Sequence, residues 1–78
     1  MKYKIGDLIK NNVEKTSFYT RSVDFKIIEK KIIKIPKNSI VMYMGQYLGY
    51  YPNEGFVFFN NIIVSWNLEN TANLKNND

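Results

Sequence analysis

The stretch 56-FVFFNNIIVSW-66 limits what this chain can fold into more than any other. Two apolar runs flank Asn60-Asn61, and asparagine tolerates the positive φ that a two-residue type I′ turn requires. A turn at that point opposes Phe59 to Ile62, Phe58 to Ile63, Val57 to Val64 and Phe56 to Ser65. Period 2 then collects Val57, Phe59, Ile62, Val64 and Trp66 on one face and Phe56, Phe58, Ile63 and Ser65 on the other. Neither face is polar. One set lines a core, and the second needs cover from elsewhere in the chain or from another molecule.

The remaining segments read more easily as strands than as helices. In 3-YKIGDLIK-10, Tyr3 and Ile5 share a face, and Gly6-Asp7 supplies a bulge or bend before Leu8 and Ile9 continue a first strand. Asn11 to Ser22 mixes Asn, Thr and Ser with Val13, Phe18 and Tyr19, which predicts a long loop whose aromatics fold back on the core. The segment 25-FKIIEKKIIKI-35 leaves two readings open. As a helix it aligns Phe25, Ile28, Ile32 and Ile35 with Asp24 as N-cap. As a strand it suits five β-branched isoleucines, and this reading is favoured. Pro36 ends the element in either case. The run 40-IVMYM-44 is apolar on both faces, as a central strand would be, and Gly45 closes it. Then 46-QYLGYYPNEG-55 is a connection rich in Gly and Tyr, and 67-NLENTANL-74 offers a last short strand or one helical turn. Residues 1–74 form one domain, with 75-KNND-78 as a fraying tail.

A chain of 78 residues buries only about 60% of the surface its unfolded form exposes, so it has one core at most. Its composition, 45% apolar and 23% charged, is that of a folded domain. The absence of cysteine excludes disulfides, and a cytosolic setting follows as an expectation. The N-terminal residues carry Lys2, Lys4 and Asp7 and do not form a signal peptide. The uncharged stretches Asn38–Asn53 and Gly55–Leu68 are shorter than the roughly 18 residues of a spanning helix, so no membrane association is expected. Charge is uneven: ten basic against four acidic residues up to Asn38 give +6, and one basic against three acidic residues from Ser39 give −2, for the total of +4.

The residue inventory excludes more chemistry than it suggests. Without histidine or cysteine the chain lacks the commonest general base, the commonest metal ligands and the thiol nucleophile. Its carboxylates are scattered, Glu54 reads as a solvated turn residue, and Gly45, Gly49 and Gly55 lack the setting of a phosphate-binding loop. No catalytic, cofactor or metal site is expected.

Taken together, Gly6-Asp7-Leu8-Ile9, Val41-Met42-Tyr43-Met44-Gly45, the run Phe56 to Trp66 and Leu68-Glu69 resemble the small SH3-like barrel proteins encoded by tailed bacteriophages. These pieces touch about half the chain. The chain departs from that pattern in having Asn-Asn where Asn-Gly is usual and in its lysine-rich 26–37 segment. The resemblance implies an all-β, small SH3-like barrel of about five short strands with a long first loop. It also implies a non-enzymatic viral protein of the host cytoplasm or the virion, either a virion component or a binder of a host factor.

Two surfaces are candidates for binding. Phe56, Phe58 and Ile63 on the second hairpin face, with Tyr50 and Tyr51, form the expected protein interface, serving a protein partner or self-association. Cover from Val13, Phe18 and Tyr19 is expected to be incomplete. Tyr43, Tyr47 and Trp66 either extend an aromatic surface or fill the core. The alternative is a single-stranded nucleic-acid surface built from Lys26, Lys30, Lys31, Lys34 and Lys37 with exposed tyrosines. It ranks lower, because ten lysines to one arginine favour solvation over bidentate recognition.

Overall fold

The central hairpin forms as its residues dictate. In the computed structural model, which describes residues 3–46 and 53–74, Asn60 and Asn61 take φ of 50° and 65°. The flanking strands pair Phe59 with Ile62, Phe58 with Ile63, Val57 with Val64 and Phe56 with Ser65. In chain order the strands are β1 (Leu8–Asn11), β2 (Lys15–Arg21), β3 (Ile27–Ile35), β4 (Ile40–Gln46), β5 (Glu54–Phe59), β6 (Ile62–Asn67) and β7 (Thr71–Asn73). They make one antiparallel sheet in the order β3-β2-β6-β5-β4-β1-β7.

One face of this sheet is the core. Tyr3, Ile9, Ile35, Val41, Tyr43, Val57, Val64, Trp66 and Leu68 are buried together, with Ile33, Phe59 and Ile62 packed against them. A flat sheet could not bring Ile35 on an edge strand into one cluster with Ile9 four strands beyond the central hairpin's first partner, so the sheet coils, as its inherent twist permits. The radius of gyration is 11.6 Å, close to the ~11.5 Å of a compact chain this long.

One set of bonds spans the coil, and two more tie neighbouring parts of it. Asn11, fully buried, donates from Nδ2 to the carbonyls of Ile35 (3.3 Å) and Pro36 (3.2 Å), tying β1 to the end of β3. The Lys15 ammonium donates to the carbonyls of Asn67 (2.5 Å) and Glu69, tying β2 to the end of its neighbour β6 and to the segment after it. The Thr71 hydroxyl donates to the Leu68 carbonyl at 2.6 Å and accepts from the Tyr3 hydroxyl at 2.5 Å, joining β7 to the segment before β1.

The sequence reading needs five corrections. The sheet has seven strands rather than about five. The predicted long first loop from Asn11 to Ser22 is largely strand β2, whose buried positions are Ser17 and Thr20. The first strand pairs only from Leu8. Before it the chain turns, with the Asp7 N–H donating to the Lys4 carbonyl at 2.9 Å and Gly6 at φ 97°, and Ile5 is exposed while Tyr3 is buried. Finally, β4 runs past Gly45 to Gln46 through a register shift between Tyr43 and Gly45, and Glu54 lies within β5 opposite Asn67 instead of in a solvated turn.

The open choice at 25–35 is settled as strand. β3 pairs with β2 through two register shifts, at Ser17/Tyr19 and Thr20/Arg21. Asp24 caps no helix. It accepts a hydrogen bond from the Ser22 hydroxyl inside the β2–β3 turn, which is closed by the Phe25 N–H donating to the Ser22 carbonyl at 2.8 Å. The last element, left open between strand and helical turn, is strand β7 beside β1.

Candidate interaction surface

Register alone assembles the outer face of the sheet, because directly opposed residues on neighbouring strands point to the same side. Leu8 opposes Met42, Met42 opposes Phe58, Phe58 opposes Ile63, Ile63 opposes Arg21, and Arg21 opposes Ile27. A single row thus crosses six strands with one charged member. Leu8, Met42 and Phe58 are 38%, 37% and 38% exposed, and Ile40, the next outward residue on β4, is 54% exposed. Three adjacent strands therefore present a continuous apolar band to solvent, a feature that on soluble proteins marks contact surfaces.

The second face of the hairpin is covered by an unanticipated residue. Phe25 leaves the β2–β3 turn and stacks on Phe56, with ring centroids 4.2 Å apart and planes 4° from parallel. The Arg21 guanidinium lies 5.1 Å from the Phe56 ring centre and donates from Nη1 to the Phe25 carbonyl at 2.9 Å, fixing the turn over the ring it covers. To reach this position Phe25 takes φ 68°, a left-handed conformation that costs a non-glycine residue about 1–2 kcal/mol. The residues expected to provide cover, Val13, Phe18 and Tyr19, are instead exposed.

Of the predicted interface residues, Phe58 is at the surface. Phe56 and Ile63 lie on the same face but are buried, Phe56 under Phe25 and Ile63 at the base of a groove. Tyr50 and Tyr51 lie outside the described residues, as does Tyr47. Tyr43 and Trp66 are core. Burial raises the Tyr43 pKa, so the phenol is neutral across ordinary pH. Leu8, Ile40, Met42, Phe25 and Arg21 were missed by sequence reasoning. Pairing distributes the first three over two distant segments, and only the left-handed turn brings the last two to Phe56.

The groove beside Phe58 has a volume of about 360 Å³ and runs between the β2–β3 turn and the tip of the central hairpin. Its walls include Val23, Ile28, Phe58 and Ile63, with Arg21 and Lys31 adding positive charge and Glu29 a negative one. The lysines of the alternative surface, Lys26, Lys30, Lys31, Lys34 and Lys37, are all exposed along or beside edge strand β3. Lys26 lies 3.9 Å from Asp24. Phe18 and Tyr19 are exposed on the neighbouring strand, and Tyr19 opposes Lys30.

Lys15 has a structural role. Its ammonium sits 4.3 Å from the Trp66 ring centre while holding the Asn67 and Glu69 carbonyls. Burial lowers its pKa to about 8, against the opposing pull of Glu69.

Among the described residues no group of three or more His, Cys, Asp or Glu side chains could hold a metal ion, and no helix is long and apolar enough to cross a membrane. Comparisons with protein-family models, with curated proteins and with solved structures give no match.

Proposed function

We propose that the chain is a small, non-enzymatic protein-interaction module of the SH3-like barrel type, encoded by a tailed bacteriophage and acting in the host cytoplasm or the virion. The band of Leu8, Ile40, Met42 and Phe58 carries this reading. It extends the second hairpin face, centred on Phe58, across β5, β4 and β1. Each of these side chains is already partly covered, and shielding the remainder stabilises a complex by about 1 kcal/mol apiece. In favour of the barrel are the coiling of the sheet about a single core and the bonds from Asn11 that draw β1 to the end of β3, at the other side of the strand order.

The test compares wild type with Phe58→Asp. Phe58 is surface-exposed, so the variant should keep the wild-type far-UV CD spectrum. It should also lose the protein that the wild type captures from a nuclease-treated bacterial lysate, or any self-association that the wild type shows by analytical ultracentrifugation. A wild type that stays monomeric and captures nothing, paired with a variant that unfolds, would make Phe58 plain core and remove the interface.

A second reading is supported by the placement of Phe18 and Tyr19 beside the exposed lysines, since stacking and charge together bind single-stranded nucleic acid. It requires a micromolar or tighter affinity for an oligonucleotide that weakens steeply with salt and disappears in Lys30→Glu/Lys31→Glu. We expect none at physiological ionic strength.

A further inference from the structure

We infer that the groove beside Phe58 takes a bulky apolar side chain from an acidic segment of a partner protein. The inference rests on the interaction reading above and specifies the chemistry of the partner. The groove is an anchor site by shape: at about 360 Å³ it has room for one large side chain and its backbone, and Val23, Ile28, Phe58, Ile62 and Ile63 give it an apolar part beside its polar residues. Val23 and Ile28 are 87% and 65% exposed at its rim, while Ile63 forms a buried base. Side chains that fill such pockets supply most of the energy of many interfaces.

The surroundings choose the flanks of that anchor. From Arg21 to Lys34 the chain carries five basic residues against Asp24 and Glu29, a local charge of +3. β3, which walls the groove, presents Lys30, Lys31 and Lys34, all exposed. A segment bearing Asp or Glu on either side of its anchor meets this field favourably and associates faster for it. Glu29, within the lining, disfavours a carboxylate in the groove itself, so the anchor is neutral and the acids flank it.

The same charges argue against the other occupants. A second copy docking by this face brings Lys31 and its neighbours against themselves. A nucleic acid would find in the groove one aromatic ring, Phe58, for stacking, and Glu29 repelling phosphate.

The experiment is a selection of random dodecapeptides displayed against the intact chain, followed by fluorescence polarisation of the enriched peptides with wild type, Ile28→Asp, Val23→Asp, Lys31→Glu and Met42→Asp. All four positions are exposed, and CD verifies each fold. Enriched peptides should carry Leu, Phe or Trp flanked by Asp or Glu. Ile28→Asp and Lys31→Glu should each weaken them by about tenfold or more, and added salt should weaken them further. Neutral or basic peptides that depend on Met42 and not on Ile28 would overturn this inference while leaving the interaction reading intact. An empty selection, or binding indifferent to every variant, would remove both. Displacement of the acidic peptides by a thymidine oligonucleotide at lower concentration would also overturn the inference, assigning the basic edge to nucleic acid.

Discussion

Phe25 shows how much a single residue contributes to this surface. Its left-handed backbone is unfavourable for a bulky side chain, so the turn holds it there because the ring gains more from stacking on Phe56 than the conformation costs. Phe25→Ala removes the gain and keeps the strain. We expect it to lower stability by about 1–3 kcal/mol, measured by urea denaturation, and to increase solvent exposure of Phe56. Lys15 gives a second residue-scale prediction. Its folded pKa of about 8 lies below the ordinary 10.5, so between these values the unfolded chain binds more protons, and stability from this group rises with pH. Tyr43, raised by burial, acts in the opposite sense above its ordinary value of 10.0, which leaves pH 8 to 10 as the clean window. Across it, the melting temperature of the wild type should climb relative to that of Lys15→Met. Parallel curves would place the ammonium in water.

Among the elements, the central hairpin carries its own instructions. Both asparagines have positive φ, so Asn61→Gly supplies the same turn without a Cβ and should change stability by between zero and about +1 kcal/mol in thermal melts. A clear loss would mean that the Asn61 side chain bonds within the turn. The hairpin, the central strand β4 and the preference for strand at 25–35 were legible in the sequence because period 2 and turn chemistry are local signals. β2 was not, because its inward positions are Lys15, Ser17 and Thr20, polar residues held by the Ser65 carbonyl, the Asn67 carbonyl and the pairing with β6. No hydrophobic alternation could have marked it as a strand. On the candidate surface, Phe58 was legible as an exposed member of a two-faced hairpin. Its neighbours Leu8 and Met42 were not, since their adjacency comes from pairing between segments far apart in the chain. The edges follow from the same pairing. β7 is short, and β3 carries lysines and two register shifts, features that discourage edge-to-edge association of copies.

For the molecule as a whole, groups from both ends of the described chain meet at one side of the core. The Tyr3 hydroxyl reaches Thr71 across 68 positions, and Tyr3 and Leu68 belong to the same core. Thr71→Val should destabilise by about 1–2 kcal/mol, because it removes the hydroxyl that joins Tyr3 to the Leu68 carbonyl. In a double-mutant cycle with Tyr3→Phe the two losses should fall short of adding, and strict additivity would mean that the bond contributes nothing. The bond also has a consequence for the edge of the sheet. Strand β7 is only three residues long, so without the Tyr3–Thr71 link it would be the first strand to fray from β1, leaving backbone donors and acceptors of β1 unpaired. A bared β1 is a template on which a strand of another chain can add, so one hydroxyl pair also guards the molecule against that kind of association.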